Sequence, residues 1–496
     1  MNYSQLLNFL APETLVVVAT LAVLFVDLTT LRGESARTRM RWCAWLAVLG
    51  CVAAGVALFI SPQSTSAGYL DGMLVLSPLS QVVKAVLLLL TIGTALLSRD
   101  ANFTEHAGEY FALLLLATAG MMFLVSTENI LLIFVSLELL SLCLYVLTAF
   151  NKRNIKSAEA ALKYFLFGGV SAAFLLFGLS LIYGLSGELN LPAIAAKLSQ
   201  IPTDPLLIVA LVMVAIGFGF KVAAAPFHLW VPDAYEGAPT PSAAFIASGS
   251  KVASFFILTR VMIVGLAGAE GSGAWHHFGH GWVPLLAVAA ALSVVIGNVA
   301  AIAQSNVKRL LAYSAIAHAG YALLGVIGGN AMGIGPVLYY AITYGLTALG
   351  AFAVVALVEE SAGDCKLTDF AGLSRRSPVV AICLLVFMLS LAGIPPLAGF
   401  FGKFYVFAAA LKTGTGSLGL LWLVVLAIAM SAVSLYYYLQ LLKQAFVVES
   451  SDGQPIKVGA TSLAVLVVLA AAVVLLGGFP KLLLEVLITG LVMNSP

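Results

Sequence analysis

Long apolar runs separated by short polar connections make up almost the whole chain. A transmembrane helix needs about 20 apolar residues, and about 14 such runs can be counted. Their approximate limits are 10–31, 42–60, 74–98, 109–126, 128–150, 159–184, 205–231, 241–264, 282–304, 309–329, 333–358, 377–411, 418–446 and 459–479. The pattern predicts an all-α polytopic membrane protein that forms a single transmembrane domain over residues 1–496.

Two of these runs are interrupted. Pro226 and Pro232 break the seventh run shortly after Lys221, and the twelfth run contains GIPPLAG before Lys403. Hydrocarbon tolerates a broken helix only where the freed backbone groups are buried in protein or face water. A pair of interrupted spans indicates an internal repeat with a transport path at each break. We expect two inverted five-helix repeats, spans 4–8 (about 109–264) and spans 9–13 (about 282–446), with discontinuous helices 7 and 12.

Lys and Arg are distributed unevenly among the connections. Those near the ends of odd-numbered spans and in the loops after them are Arg32, Arg37, Arg39, Arg41, Arg99, Lys152, Arg153, Lys156, Lys308, Arg309, Lys366, Arg375, Arg376, Lys443 and Lys457. The loops after even-numbered spans, with the tail, hold Lys197, Lys412 and Lys481. Cytoplasmic loops carry an excess of basic residues. We therefore expect the first set to face the cytoplasm and both termini to lie outside.

Ionisable residues also occur inside the apolar runs. Glu138, Lys221, Lys251 and Lys403 lie deep within them, and four unpaired charges at that depth would cost about 10–14 kcal/mol in total. So large a cost favours a function over a purely structural role. We expect three other basic residues to lie nearer span ends, where long side chains reach the interface. These are Lys84, Lys163 and Arg260.

Composition supports the membrane assignment and excludes other classes. Of the 496 residues 61% are hydrophobic and 9% are charged, whereas a soluble domain has about 25% charged residues. The net charge of +2 argues neither for nor against a nucleic-acid partner, and no basic run with interleaved aromatic residues predicts nucleic-acid binding. The five cysteines are scattered without a CxxC motif, so no iron–sulfur, zinc or disulfide framework is predicted.

The histidines fall into two groups. His106, His276, His277 and His280 lie in predicted loops, where we expect them to be solvated rather than to bind metal. His228 lies in the first break, and His318 lies in the middle of a span. Imidazole can accept and donate a proton near neutral pH, so each is a candidate for proton transfer. A hydrogen-bonded structural role is the alternative for each.

Three motifs together carry a family resemblance. They are GFGFKVAAAPFHLWVPDAYEGAPTPSAAFIASGSK, QSNVKRLLAYSAIAHAGYALLG and LAGIPPLAGFFGKF. They resemble the antiporter-like membrane subunits of respiratory complex I, the proton-pumping NADH:quinone oxidoreductase, whose fold is shared with subunits of multisubunit Na⁺/H⁺ antiporters. The resemblance covers nearly the whole chain. It is closest to the N subunit, because the chain has no long C-terminal lateral helix and has Lys403 where the M subunit has glutamate.

The resemblance implies roles for individual residues. Glu138 matches the span-5 glutamate that pairs with the span-7 lysine, here Lys221. Lys251 matches the span-8 lysine that relays protons, and Lys403 matches the span-12 residue of the exit half-channel.

Further positions match less closely. Glu159 and Lys163 resemble charged positions near the interface with the next subunit, and His318 fits a connecting position between the deep lysines.

The resemblance also implies partners and a location. The cofactors, namely FMN, iron–sulfur clusters and the quinone, would belong to partner subunits, and this chain would carry none. Its neighbours would be the antiporter-like M subunit, the small K-type subunit and lipids, with protons as the transported ion. We expect the bacterial inner membrane as the location. Two alternatives remain open, namely a subunit of a multisubunit Na⁺/H⁺ antiporter and a largely structural scaffold.

Overall fold

The computed structural model describes residues 9–60, 67–69, 73–201, 204–328, 331–363, 365–411, 419–450, 454–456 and 458–492. Thirteen of the described helices are long and apolar enough to cross a membrane. Two shorter apolar helices, Pro378–Ala392 and Ala398–Leu411, together form span 12. The predicted all-α membrane fold of about 14 spans, with discontinuous helices 7 and 12, is confirmed.

The spans follow one another with short connections. Spans 1 to 6 are Ala11–Leu28, Ala36–Ile60, Pro78–Ser98, Ala107–Leu124, Ile130–Thr148 and Ile155–Ser186. Span 7 is Pro205–Val222 with the short helix Trp230–Gly237, and span 8 runs over Thr240–Gly265. Spans 9, 10, 11, 13 and 14 are Trp282–Ile302, Val307–Ile327, Ala331–Ala362, Leu421–Phe446 and Ala460–Gly478.

The connections contain small elements of their own. Strand Ala67–Tyr69 pairs antiparallel with Leu74–Leu76, and Ser272–Ala274 pairs with His277–Gly279. Short helices lie at Leu191–Leu198, Ala267–Ala269, Leu367–Phe370, Leu373–Arg376 and Lys481–Val492. Lys412 and Lys457, which contributed to the predicted orientation, lie outside the described residues, as do residues 1–8 and 493–496 at the termini.

Spans 5 and 10 begin in the same way. Asn129 caps the first turn of span 5 and forms an isolated bridge with Asn190, beyond the end of span 6. Asn306 caps span 10 and forms the equivalent bridge with Lys366, beyond the end of span 11. An asparagine side chain at this position satisfies backbone N–H groups that the first turn leaves unpaired. The shared geometry supports the proposed division into two five-helix repeats.

Both predicted breaks have a left-handed residue at the point where the helix stops. The first helix of span 7 ends before Ala223, whose φ is +65°, and the first helix of span 12 ends before Gly393, whose φ is +86°. This conformation ends a helix by turning the chain away from its axis. The backbone N–H of Ala225, freed by the first break, donates to Ser293 Oγ of span 9 at 2.8 Å.

Span 8 is also interrupted, although its sequence pattern predicts a continuous helix. The α-helix Thr240–Ala247 stops at Ser248 and resumes as Gly249–Thr259, and a π-helix follows at Arg260–Gly265. The Ser248 hydroxyl donates to the Ala244 carbonyl at 2.7 Å, a contact that bends helices. No proline marks this break, which lies just before Lys251.

Candidate functional site

The three lysines predicted to lie deep in the membrane are all buried. The exposed fractions are 8% for Lys221, 2% for Lys251 and 5% for Lys403. Each lies beside an irregular piece of helix, at the end of the first helix of span 7, after the turn in span 8 and after the break in span 12. Irregular backbone at membrane depth exposes polar groups that can surround a charge.

Lys221 has one charged and one neutral partner, both on span 5. Its Nζ lies 3.6 Å from Glu138 Oε1, and it donates a short hydrogen bond to Ser141 Oγ. Glu138 and Ser141 are three residues apart, so they share one face of the helix. Glu138 is the most exposed member of the cluster, with a quarter of its side chain accessible.

The Lys251 ammonium group forms no hydrogen bond within the described part of the chain. Its Nζ lies 5.5 Å from the ring centroid of Trp230, the first residue of the short helix in span 7. Trp230 in turn stacks on Tyr164 with ring centroids 4.1 Å apart, and its indole N–H donates to the Phe220 carbonyl. The aromatic face stabilises the charge by about 2 kcal/mol where water is excluded.

Lys403 is bound at the carbonyl end of a broken helix. Its Nζ donates to the carbonyl oxygens of Leu391 and Ala392, each at 3.0 Å, and to Ser431 Oγ at 2.9 Å. Those two carbonyls belong to the last turn of the first helix of span 12. The C-terminus of a helix carries a partial negative charge that favours a cation. The ring of Tyr321 lies 4.9 Å from the same Nζ.

His318 joins several helices through tyrosine hydroxyls. Its Nδ1 lies 2.7 Å from the Tyr340 hydroxyl of span 11, and its Nε2 lies 3.1 Å from the Tyr438 hydroxyl of span 13. Tyr438 also bonds Ser314 Oγ at 2.5 Å. His318 is therefore both hydrogen-bonded and connected to further exchangeable protons.

A second group of hydrogen bonds lies beside this one. Asn298 donates to the Tyr321 hydroxyl at 2.9 Å and accepts from the Tyr437 hydroxyl at 3.0 Å. Because the Tyr321 ring also contacts Lys403, the network reaches the span-12 lysine. Asn298 was not predicted as a site residue, although it is the one asparagine in the apolar run of span 9 and its polar side chain was a usable signal.

His228 lies within the first break, as predicted, and is buried. Its Nδ1 has no hydrogen-bond partner among the described residues. The structure does not bring it into the His318 network.

Glu159 and Lys163 form part of a charge network near the start of span 6. Lys163 Nζ lies 2.7 Å from Glu159 and 2.8 Å from Asp233 of the short helix in span 7. Asp233 and Glu236 both contact Arg309 at the start of span 10, at 2.7 and 3.0 Å. Asp233, Glu236 and Arg309 were not predicted as site residues, although the first two stand in the motif VPDAYEG and Arg309 was noted only for its charge.

The prediction that Lys84 reaches the membrane interface is wrong. Its side chain is 1% exposed, and its Nζ lies 2.6 Å from Oε1 of Glu13, which is equally buried. Pairing explains why the amine stays inside, since a buried charge needs an opposite charge nearby. Arg260 pairs with Glu128, whereas Lys163 is partly exposed in the first third of span 6.

The loop histidines lie apart from these clusters. His277 lies on a strand of the hairpin after span 8, and His276 lies in its turn. Within the described ranges, no group of three or more His, Cys, Asp or Glu side chains is arranged to hold a metal ion. The five cysteines are all buried as free thiols.

Comparison with known proteins gives a consistent result. The family model described as "NADH:quinone oxidoreductase/Mrp antiporter, TM" matches residues 127–431. NADH-quinone oxidoreductase subunit N 2 of Acidobacterium capsulatum is 53% identical over 494 residues, covering 98% of this chain and 99% of that protein. Subunit N of Heliobacterium modesticaldum is 37% identical, covering 98% of each chain.

Solved structures show the same fold. A chain of respiratory complex I from Thermus thermophilus with bound Aureothin superposes with a TM-score of 0.78 at 36% identity, covering 96% of this chain and 98% of that one. A chain of the Mrp complex from Dietzia sp. has a TM-score of 0.82 at 22% identity, with 98% of both chains covered. The second likeness concerns the fold alone.

Proposed function

Because the chain belongs to the NADH:quinone oxidoreductase/Mrp antiporter family, among relatives that are N subunits of the quinone oxidoreductase, we propose that it translocates protons through its buried Glu/Lys chain. The observation that carries the proposal is the approach of Glu138 to Lys221 at 3.6 Å beside the break in span 7. A carboxylate at this distance favours the protonated amine. Movement of Glu138 away from Lys221 would release the proton.

The proton would then pass between the two halves. Lys251 is the next buried amine, and its Nζ has no hydrogen bond to any described residue that would hold a proton there. The hydroxyls around His318 provide exchangeable protons between span 8 and span 12, and Lys403 terminates the route. Side chains and water would carry each transfer.

The energy for this transfer would come from partner subunits. The sequence contains no dinucleotide-binding or metal-cluster motif, so oxidation of NADH would take place where FMN and the iron–sulfur clusters are bound, and the quinone would be reduced in another subunit. Conformational or electrostatic change would then reach this chain as a coupling free energy. We place the chain in the bacterial inner membrane, with both termini outside, beside the M-type and K-type subunits and lipids.

The test is a Lys221→Ala variant in the complete complex. We expect proton pumping linked to quinone reduction to fall about tenfold or more, while the assembled complex remains present in normal amount. Normal pumping by a fully assembled variant would contradict the proposal and favour a scaffold role.

A second measurement distinguishes the proposed function from the alternative that the chain is a subunit of a multisubunit Na⁺/H⁺ antiporter. Proteins that co-purify with the chain in mild detergent should include flavin and iron–sulfur subunits. Recovery of antiporter subunits alone, with Na⁺-dependent proton exchange, would assign the chain to a multisubunit Na⁺/H⁺ antiporter.

A further inference from the structure

A cleft of about 380 Å³ opens on the face that the basic residues assign to the cytoplasm. Its lining comes from six places in the chain that lie just after spans 3, 5, 7, 9, 11 and 13, or at the ends of the spans themselves. Representative lining residues are Asp100, Asn151, Thr240, Lys308, Glu359 and Ser462. Glu359 lies in the last turn of span 11 and the other five follow an odd-numbered span, so the cleft lies on one side of the membrane.

The inner end of the cleft, here called its floor, is formed by the ion pair between Lys308 and Glu359, and the Thr240 hydroxyl contacts both of them. Lys308 Nζ lies 2.8 Å from Glu359 Oε1 and donates to Thr240 Oγ1 at 3.1 Å. The Thr240 hydroxyl donates a short hydrogen bond to the other oxygen of Glu359. Lys308 is 6% exposed, whereas a third of the Glu359 side chain is accessible. The carboxylate therefore lies at the boundary between the cleft and the interior.

Span 11 leads inward from Glu359 to the level of Lys251. Phe352 lies seven residues before Glu359, about 10 Å along the helix, and its ring contacts that of Tyr235. Gly345 lies about 10 Å further in, where it packs against the Ser248 carbonyl and Val252, the residue after Lys251. Glu359, Phe352 and Gly345 recur every two turns, so they mark one face of the span.

Two polar groups near this face have no hydrogen-bond partner in the described part of the chain. The Tyr235 hydroxyl is fully buried and has no hydrogen bond among the described residues, and the same holds for the Lys251 ammonium group. Buried polar atoms in proteins are nearly always bonded, to ordered water where no protein group is available. Water bound to Tyr235 would lie about halfway between the cleft floor and Lys251.

We propose that this cleft is the entrance through which protons reach Lys251 from the cytoplasmic side, with Glu359 as the group that accepts them. The inference rests on the proposed proton-translocating function. A proton leaves water in the cleft as an O–H bond forms on the Glu359 carboxylate. It passes through the Thr240 hydroxyl and water at Tyr235, each giving up one proton as it takes another, and ends as an N–H bond on unprotonated Lys251. Lys308 is a positioning residue that holds the carboxylate at the floor.

The test compares two neighbouring carboxylates. Glu359→Gln keeps the shape of the side chain but cannot accept a proton, and Glu360→Gln changes the next residue, which is exposed and lines the same cleft. In assembled complex, we expect quinone-linked pumping to fall about tenfold for Glu359→Gln and to stay unchanged for Glu360→Gln. Equal effects of the two variants would overturn the assignment of Glu359.

Chemical rescue distinguishes proton transfer from packing. A small weak acid such as azide, added on the cytoplasmic side, should restore much of the pumping of Glu359→Gln, because it delivers protons beyond the missing carboxylate. It should not restore Lys251→Ala, which lacks the acceptor. A loss in Glu359→Gln that azide leaves unchanged would show a structural role and contradict the inference.

The Lys251→Ala variant also distinguishes failure of the proposed entrance from failure of the proposed proton-translocating function. Impaired Lys251→Ala with normal Glu359→Gln would place the entrance elsewhere and leave the proposed function standing. Normal pumping by both assembled variants would contradict both the proposed entrance and the proposed proton-translocating function.

A third variant covers the case in which Glu359→Gln does not assemble. Ala356→Cys places a thiol in the cleft, and the chain's own cysteines are buried. In inside-out vesicles, a bulky impermeant thiol reagent should slow pumping by Ala356→Cys, while His277→Cys on the opposite face stays unaffected. Labelled Ala356→Cys that pumps at the unlabelled rate would overturn the proposal.

Discussion

Lys221 Nζ lies 3.6 Å from Glu138 Oε1 and also donates a hydrogen bond to Ser141, one turn further along span 5. The Lys221 amine therefore has two partners. The charge of Glu138 acts on it over a distance, whereas the Ser141 hydroxyl acts only through a direct hydrogen bond. Removal of the Glu138 charge leaves the hydroxyl bond in place, so the two contributions can be separated by substitution.

Glu138→Gln should impair pumping and turnover more than Glu138→Asp, with assembly intact in both. Glutamine keeps the shape but removes the charge, whereas aspartate keeps the charge with a shorter reach. Pumping rates in reconstituted vesicles, normalised to assembled complex, provide the measurement. A glutamine variant that pumps at the wild-type rate would rule out a charge role.

The double variant Glu138→Gln with Lys221→Met should lose little more than either single variant. Residues in one pair share a single loss, so their effects are far from additive. Two losses that multiply would mean that Glu138 and Lys221 act independently. Ser141→Ala provides the matched control for loss of the neutral partner.

Lys403→Arg and Lys403→Met should both abolish most pumping but differ in stability. Arginine keeps a cation at the carbonyl end of the first helix of span 12, so it should preserve the thermal stability of the complex. It cannot be deprotonated in proteins, so it cannot pass a proton on. Pumping and the thermal inactivation midpoint are measured side by side. An arginine variant with full pumping would show that Lys403 serves only to bind the carbonyls.

Glu13 and Lys84 should behave as a structural pair. Lys84→Met leaves a buried carboxylate without its cation, which costs about 3–5 kcal/mol, and should lower the yield of assembled complex. Glu13→Gln combined with Lys84→Met removes both charges and should recover much of that yield. Thermal inactivation and complex yield check this, and a double variant less stable than Lys84→Met alone would contradict it.

Arg153→Cys should react with an impermeant thiol reagent in inside-out vesicles and not in intact cells. The side chain is highly exposed in the connection after span 5, on the side predicted to be cytoplasmic. His277→Cys, in the connection after span 8, should show the opposite pattern. Labelling of Arg153→Cys from outside the cell would reverse the predicted orientation.

The sequence predicted the spans and the deep lysines because both depend on local properties. A charge within an apolar run is visible in one window, and so is a proline that breaks a helix. Lys221, Lys251 and Lys403, each inside such a run, are buried as predicted. Lys84 was assigned wrongly because its environment depends on Glu13, which is distant in the chain and close only in the fold.

Other features depend on tertiary contacts that no local pattern reveals. The turn at Ser248 is marked by no proline, and its side-chain bond to Ala244 forms within an ordinary apolar stretch. The contacts of His318 with Tyr340 and Tyr438 join three spans. Sequence identifies these residue types, but only packing of the helices brings them together.

The short helix Trp230–Gly237 links the charge network around Lys163 to the surroundings of Lys251. Asp233, its fourth residue, ties it to Lys163 of span 6 and to Arg309 of span 10, while Trp230, its first residue, faces Lys251. Trp230 and Asp233 are three residues apart, about 4.5 Å along the helix axis, so both side chains move with the same helical turn. A displacement of Lys163, which is partly exposed and lies beside Glu159 in the first third of span 6, would reach Lys251 as a displacement of the indole ring. A force applied to this exposed part of the subunit would therefore change the surroundings of the buried Lys251.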